Sequence, residues 1–222
     1  MWWTDEKIGF YDRAASASDF HRRLADLLEP YLGQAASIAE LGCGLGFMTA
    51  QLTDRGHAVT GYDSDQRAIS WAARRFPFSA FRCRDCYSLG LVADTSIAVF
   101  FGRLTSDDNC ERLLETCSRR LIYVDNEHEE YEGCSWKHFQ KTEDFLRQKG
   151  LRHSFQKCHL RFDQILSSRT ELEDYIRVNY TERSREFSRP VVEEGGLIRV
   201  INDKAFSIFA IDKEDKKSTT PP

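Results

Sequence analysis

Three glycines and one acid crowd the junction between an apolar run and a helical one, in Ala39-Glu40-Leu41-Gly42-Cys43-Gly44-Leu45-Gly46. A residue without Cβ lets the main chain approach a ligand closely, and the first amides of the next helix carry partial positive charge. Gly42, Gly44 and Gly46 therefore suit a loop that holds a nucleotide-linked molecule. A dinucleotide site would read G-x-G-x-x-G and place a glycine where Phe47 stands. Farther along, single acids close apolar runs: Asp63 after Ala58–Tyr62, Asp85 just beyond Phe78–Arg82, Asp125 after Leu121–Val124. In Asp125-Asn126-Glu127-His128-Glu129-Glu130-Tyr131, His128 is the first candidate for a general base, because imidazole titrates near neutrality. The competing reading is a loop histidine in a solvated acidic run; His138, His159 and Tyr131 are weaker candidates.

These residues need a scaffold, and the pattern supplies alternating strands and helices. Residues 1–36 read as a helical cap, with Phe20, Leu24, Leu27, Leu28 and Tyr31 at helical spacing and closure at Pro30 and Gly33. Strands are expected at 37–41, 58–62, 78–82, 96–101 and 121–124, with helices after the first at 47–55, after the second to about Arg75, and after Ser106. A further helix at 142–149 stops at Gly150 before an extended run from 153 to 166. A helical insertion over 167–196 opens on the capping box Thr170-Glu171-Leu172-Glu173. The core would end in a hairpin, 197–201 with 205–211, turning at Asn202-Asp203-Lys204, before a polar tail at 213–222 that is expected to be disordered.

The glycine loop, with Asp63 and Asp85 in register behind it, resembles the first motifs of class I S-adenosylmethionine-dependent methyltransferases. The resemblance covers about 37–125 by motif and 197–212 by topology. It implies an α/β, Rossmann-like, doubly wound sheet of seven strands in the order 3-2-1-4-5-7-6 with the last antiparallel, the methyltransferase domain spanning 37–212 behind the cap. It further implies that S-adenosyl-L-methionine is bound and S-adenosyl-L-homocysteine released. Asp63 would accept from the ribose hydroxyls, Asp85 would meet the adenine amino group, and the Cys86 amide would reach the ring. The full implied cofactor set is Tyr11, Glu40, Gly42, Cys43, Gly44, Gly46, Asp63, Ser64, Asp85, Cys86 and Phe101.

The acceptor half of such a site is read mostly by exclusion. Phe101-Gly102-Arg103-Leu104 lacks the Asn/Asp-Pro-Pro-aromatic segment that holds a base amine, and no acidic trio marks a metal. The net charge of −4 offers no field for nucleic acid phosphates. Seven irregularly spaced cysteines read as free thiols, and Cys83-x-x-Cys86 has no second pair to complete a zinc site. The start Met1–Glu6 lacks a secretory pattern and no apolar run would span a bilayer, so a cytosolic protein without a membrane partner is expected. Aromatics of the cap, Trp2, Trp3, Phe10, Tyr11 and Phe20, with His21, would wall an apolar acceptor or simply pack the cap onto the sheet. Arg177, Arg183, Arg185 and Arg189 of the insertion would clamp an anion or lie solvated. The expectation is methyl transfer to a small molecule; the alternatives are a protein methyltransferase and an inactive cofactor-binding partner of the same fold.

Overall fold

Ile97, Ala98, Leu121, Ile122, Tyr123 and Val124 are buried at odd and even positions alike, so the strands that carry them need cover on both faces. The computed structural model, which describes residues 2–130, 132–180 and 187–213, supplies that cover with helices. Tyr131, Arg183, Arg185 and the tail from 214 onward lie outside the described residues.

Two helices, α1 (Asp5–Ser16) and α2 (Phe20–Leu32), precede the sheet. Next come β1 (Ile38–Leu41), α3 (Phe47–Asp54), β2 (Val59–Asp63), α4 (Gln66–Arg75), β3 (Ala80–Cys83), β4 (Ala93–Val99) and α5 (Asp107–Glu115). The second half holds β5 (Cys117–Glu130), α6 (Lys137–Gln148), β6 (His153–Arg161), β7 (Gln164–Leu166) and α7 (Arg169–Asn179). It closes with β8 (Val191–Glu194), β9 (Leu197–Val200) and β10 (Asp203–Asp212). The main sheet runs β3-β2-β1-β4-β5-β10-β6, with β10 antiparallel to both neighbours; counting within that sheet, this is the expected order 3-2-1-4-5-7-6. Ile38 lies opposite both Val59 and Thr95, so β1, β2 and β4 finish together at one edge.

Alternation along the strands builds two cores. Ile122, Val124, Phe206 and Ile208 face Leu24, Leu28 and Leu52 of α2 and α3, whereas Leu121, Tyr123, Phe209 and Ile211 face Leu113 and Leu146 of α5 and α6. Burying a side chain of this size contributes roughly 1.5–3 kcal/mol, so the two layers together dominate stability.

Several local expectations change in the structure. The 197–211 hairpin does not form: β9 pairs with β7 and β8 in a separate three-stranded sheet, while β10 joins the main one. The Asn202 carbonyl accepts from Phe162 N–H and Asn202 N–H donates to Asp163, ties from 39 or more residues away that override the local turn signal. The capping box lies two residues earlier than expected, with Ser168 accepting from Glu171 N–H and Glu171 accepting from Ser167 N–H. The cap is two helices rather than one, and β4 stops at Val99.

β5 is longer than expected and irregular. Its register against β10 slips between Asn126 and Glu130, and His128 in that bulge has φ 58°. The bulge sends the buried Glu127 carboxylate into the start of α6, where it accepts from the backbone N–H groups of His138 (2.9 Å) and Phe139 (2.6 Å). α6 therefore begins at Lys137, five residues before the sequence pattern suggests. Glu127→Ala should lower stability by about 2 kcal/mol, since two helix-end amides lose a charged partner. A urea midpoint that falls with an unchanged slope would meet this expectation, and an unmoved midpoint would refute it.

Candidate functional site

The chain must leave β1, buried along its whole length, and enter α3 within five residues. Gly42 (φ 69°), Gly44 (φ 51°) and Gly46 (φ 76°) make that path in left-handed conformations that side chains with a Cβ rarely adopt. Space is short as well. A Cβ on Gly42 would lie 2.3 Å from the Phe101 ring, one on Gly44 3.1 Å from Trp3, and one on Gly46 2.5 Å from Phe81. Hydrogen bonds hold the turn: Gly44 N–H donates to Asp63 Oδ2 (2.8 Å), Cys43 N–H to the Tyr62 carbonyl, and Gly42 N–H to Cys86 Sγ (3.2 Å). Asp63 Oδ1 accepts from Asp65 N–H (2.8 Å), and Asp65 in turn receives the N–H groups of Trp2 and Trp3, which draws the N-terminal segment over the loop.

At the end of β4, Phe100 has φ 53°, a conformation a bulky residue adopts at a cost of roughly 1–2 kcal/mol. The consequence is a division of labour between neighbours. Phe100 points into a cavity and packs against Phe206 and Phe20, while Phe101 lies on Gly42 beside Tyr87.

That cavity, of about 390 Å³, opens between the glycine loop, α1, α2 and the small sheet. Glu40, Gly42, Cys43, Gly44 and Gly46 line one side of it, and the cap residues Trp2, Trp3, Phe10, Tyr11, Phe20 and His21 line another. Helix α7 closes the outside by pairing with α1, Arg13 to Glu171 (2.6 Å) and Arg177 to Glu6 (3.0 Å). Arg177 is thus an exposed structural partner rather than an anion clamp.

Two buried titratable groups define its electrostatics. Glu40 is 3% exposed and accepts from the Thr49 hydroxyl; burial pushes its carboxyl up to about 7, Asp63 adds to the rise, and Thr49 opposes it. His21 stacks on Phe47 at 5.0 Å, shares a hydrogen bond with the Tyr11 hydroxyl (3.0 Å), and is lowered to about 4 by burial. Burial also raises Tyr11, with the Glu40 charge adding. Both rings are therefore neutral near pH 7, and neither is a ready proton acceptor.

The remaining residues of the expected set fall in two places. Asp63 ends β2, Ser64 follows it, and Asp85 and Cys86 follow β3, all flanking the loop without lining the cavity; Asp85 caps its own turn by accepting from Tyr87 N–H. The Cys86 thiol, raised to about 12 by burial, is a packing group rather than a nucleophile. His128 lies elsewhere, in a second cavity of about 430 Å³ with Arg103, Asp125, His138 and Lys141, and the structure does not bring it to the glycine loop. Exposed His159 on β6 lines neither cavity. Among the described residues no three of His, Cys, Asp or Glu gather as metal ligands, and no helix is long and apolar enough to cross a membrane. Sequence reasoning missed Phe100, Phe162, Gln164, Asn202 and Lys204, which complete the cavity wall. The extended run expected at 153–166 divides instead at Phe162-Asp163 into β6 and β7, and no pattern in the sequence marked these residues as wall groups.

Comparison with known proteins agrees with this geometry. Residues 38–122 match the family model described as a methyltransferase domain. No curated protein matches the sequence. Among solved structures, the YcgJ protein of Bacillus subtilis superposes with a TM-score of 0.56 at 14% identity, covering 88% of this chain and 100% of its own. A SAM-dependent methyltransferase from Thermotoga maritima gives 0.56 at 13% identity, over 93% of this chain and 96% of that one. The plantazolicin methyltransferase BpumL, solved in complex with SAH, gives 0.55 at 16%, over 96% and 93%. Sheet order, glycine loop and matched domain together show that the chain has the class I, Rossmann-like fold of the S-adenosylmethionine-dependent methyltransferases.

Proposed function

We propose that the protein binds S-adenosyl-L-methionine against the glycine loop and transfers its methyl group to a small molecule held in the 390 Å³ cavity. The observation that carries this reading is the buried Glu40 carboxylate at the cavity wall. An acid held near neutrality by burial, with Thr49 as its neighbour, is a partner prepared for a cation. The α-ammonium of the cofactor supplies that charge. Asp63, an acceptor with about four lone-pair sites of which two amides use one each, keeps capacity for ribose hydroxyls. Gly42 and Gly44 let the loop pack against Phe101 and Trp3 where a Cβ would not fit, and with Gly46 they line the cavity beside Glu40.

When bound, the cofactor supplies an electrophilic methyl on a sulfonium, which is displaced in line by an acceptor lone pair about 3 Å away. The chain's own part is placement and exclusion of water. Tyr11, Phe20, Phe47 and Phe100 wall the acceptor, and the neutral Tyr11–His21 pair offers it a hydrogen bond rather than a base. The enclosure by α1, α2 and α7 favours a small acceptor over a protein chain.

Calorimetry with S-adenosyl-L-methionine and S-adenosyl-L-homocysteine should show dissociation constants on the order of 1–100 μM, weakened at least about tenfold by Glu40→Gln. Because a cation beside Glu40 lowers its pKa, binding at pH 7 should release on the order of half a proton, seen as a dependence of the heat on buffer ionisation, and none in Glu40→Gln. Absence of binding by the intact protein would end the proposal.

The same carboxyl makes the free protein pH-sensitive. Its folded pKa, about 7, lies above the unfolded value near 4.5, so the folded state holds the proton more tightly. Its stabilising contribution is complete below pH about 4.5 and is lost as pH rises to about 7, by on the order of 3 kcal/mol. Unfolding free energies of wild type minus Glu40→Gln should therefore fall across that window; a flat difference would show that folding leaves the Glu40 pKa unshifted.

A further inference from the structure

The second cavity, of about 430 Å³, opens at the carboxyl ends of β4 and β5, on the face of the sheet that carries α5 and α6. It shares no lining residue with the aromatic cavity. Two cations and one acid set its charge. Arg103 follows β4 and Lys141 lies one turn into α6; both are exposed, and among the described residues neither side chain meets a carboxylate.

The backbone that carries these cations is fixed. The Gly102 carbonyl accepts from the Tyr123 hydroxyl (3.2 Å), and the Arg103 carbonyl accepts from the Asn109 carboxamide (3.1 Å). Thr142, next to Lys141, is buried and donates its hydroxyl to Asp125 Oδ2 (2.7 Å). His138 also lines the cavity, with its ring edge-on to His128 at 5.3 Å, and His128 Nδ1 shares a hydrogen bond with the Asn126 carboxamide (3.0 Å). Both imidazoles are therefore wall groups, and the positive charge comes from Arg103 and Lys141.

A guanidinium fork receives two oxygens of an oxyanion, and an ammonium adds a compact charge. Asp125 decides which oxyanion fits. A fully ionised guest presents bare oxygens to that carboxylate and is repelled, whereas a guest that keeps an O–H donates it there. Burial pushes the Asp125 carboxyl up, against the Thr142 hydrogen bond and the His138 charge, so sharing a guest's proton relieves it. Thr142 uses one of the roughly four lone-pair sites of the carboxylate, which leaves capacity toward the cavity that Asp125 lines.

We propose that this second cavity binds a phosphate group that retains a proton, with its oxygens on Arg103 and Lys141 and its hydroxyl donating to Asp125. Inorganic phosphate and a phosphomonoester both carry that group, whereas sulfate at neutral pH has no proton to give. The site is separate from the methyl-transfer cavity, so each reading stands or falls alone.

Calorimetry on the full chain at pH 7, in a buffer free of other oxyanions, tests this with inorganic phosphate, phenyl phosphate and sulfate. Inorganic phosphate should bind at least about tenfold more tightly than sulfate. Arg103→Met and Lys141→Met, both at exposed positions, should each weaken phosphate by at least about tenfold. Asp125→Asn should bring sulfate to within about threefold of phosphate, because the repelling charge is gone. Tighter binding of phenyl phosphate than of the free ion identifies an ester as the ligand, and weaker binding identifies phosphate itself. The wild-type comparison decides the matter even where Asp125→Asn fails to fold. Equal affinity for phosphate and sulfate, no binding of any probe, or unchanged phosphate affinity in both methionine variants would overturn the proposal.

Discussion

The turn from Leu41 to Phe47 limits everything built around it. A strand buried on both faces must reverse into a helix while Phe81, Phe101 and Trp3 press on it from three sides, and only glycine satisfies the positive φ angles and the contacts of 2.3–3.1 Å together. Asp63 reads the outcome from β2 by accepting Gly44 N–H, and Asp65 extends the same network to the amino terminus. Loop, second strand and cap are thereby one hydrogen-bonded unit. A change at Gly44 would disturb the cap as well as the cofactor side.

A second constraint shapes the acceptor side. Phe100 and His128 are bulky residues in left-handed backbone toward the carboxyl ends of adjacent strands, and each redirects the chain beyond it. Phe100 turns into the aromatic cavity while Phe101 lies on Gly42. The bulge at His128 frees Glu127 to start α6 and turns His128 toward a different cavity. Strain at one strand end thus serves the proposed site, and at the other it serves packing.

Much of this was legible in the residues themselves. The mostly apolar runs at 38–41, 96–99 and 121–124 announced a parallel sheet covered on both faces, and Asp65 and Ser106 cap their helices as their types suggest. The glycine spacing located the loop, and all six cap residues named from composition line the cavity. What was not legible depends on partners distant in sequence. Asn202-Asp203-Lys204 looks like a turn, but Phe162 and Asp163 capture Asn202 and split the flanking strands between two sheets. An aromatic residue in left-handed backbone contradicts its own propensity, so neither Phe100 nor the polar trio beside it carried a local signal. His128 was chosen on chemical type, and a slip of register in β5 aimed it away from the loop.

The central claim is that Glu40 and the glycine loop hold the cofactor's amino-acid end beside the aromatic cavity. A crystal structure with S-adenosyl-L-homocysteine bound tests it most directly. The predicted result is a ligand ammonium within hydrogen-bond distance of Glu40 and a ligand sulfur facing Phe100. Ligand seated instead in the cavity of Arg103, His128 and Lys141, or with its amino group away from Glu40, would contradict it.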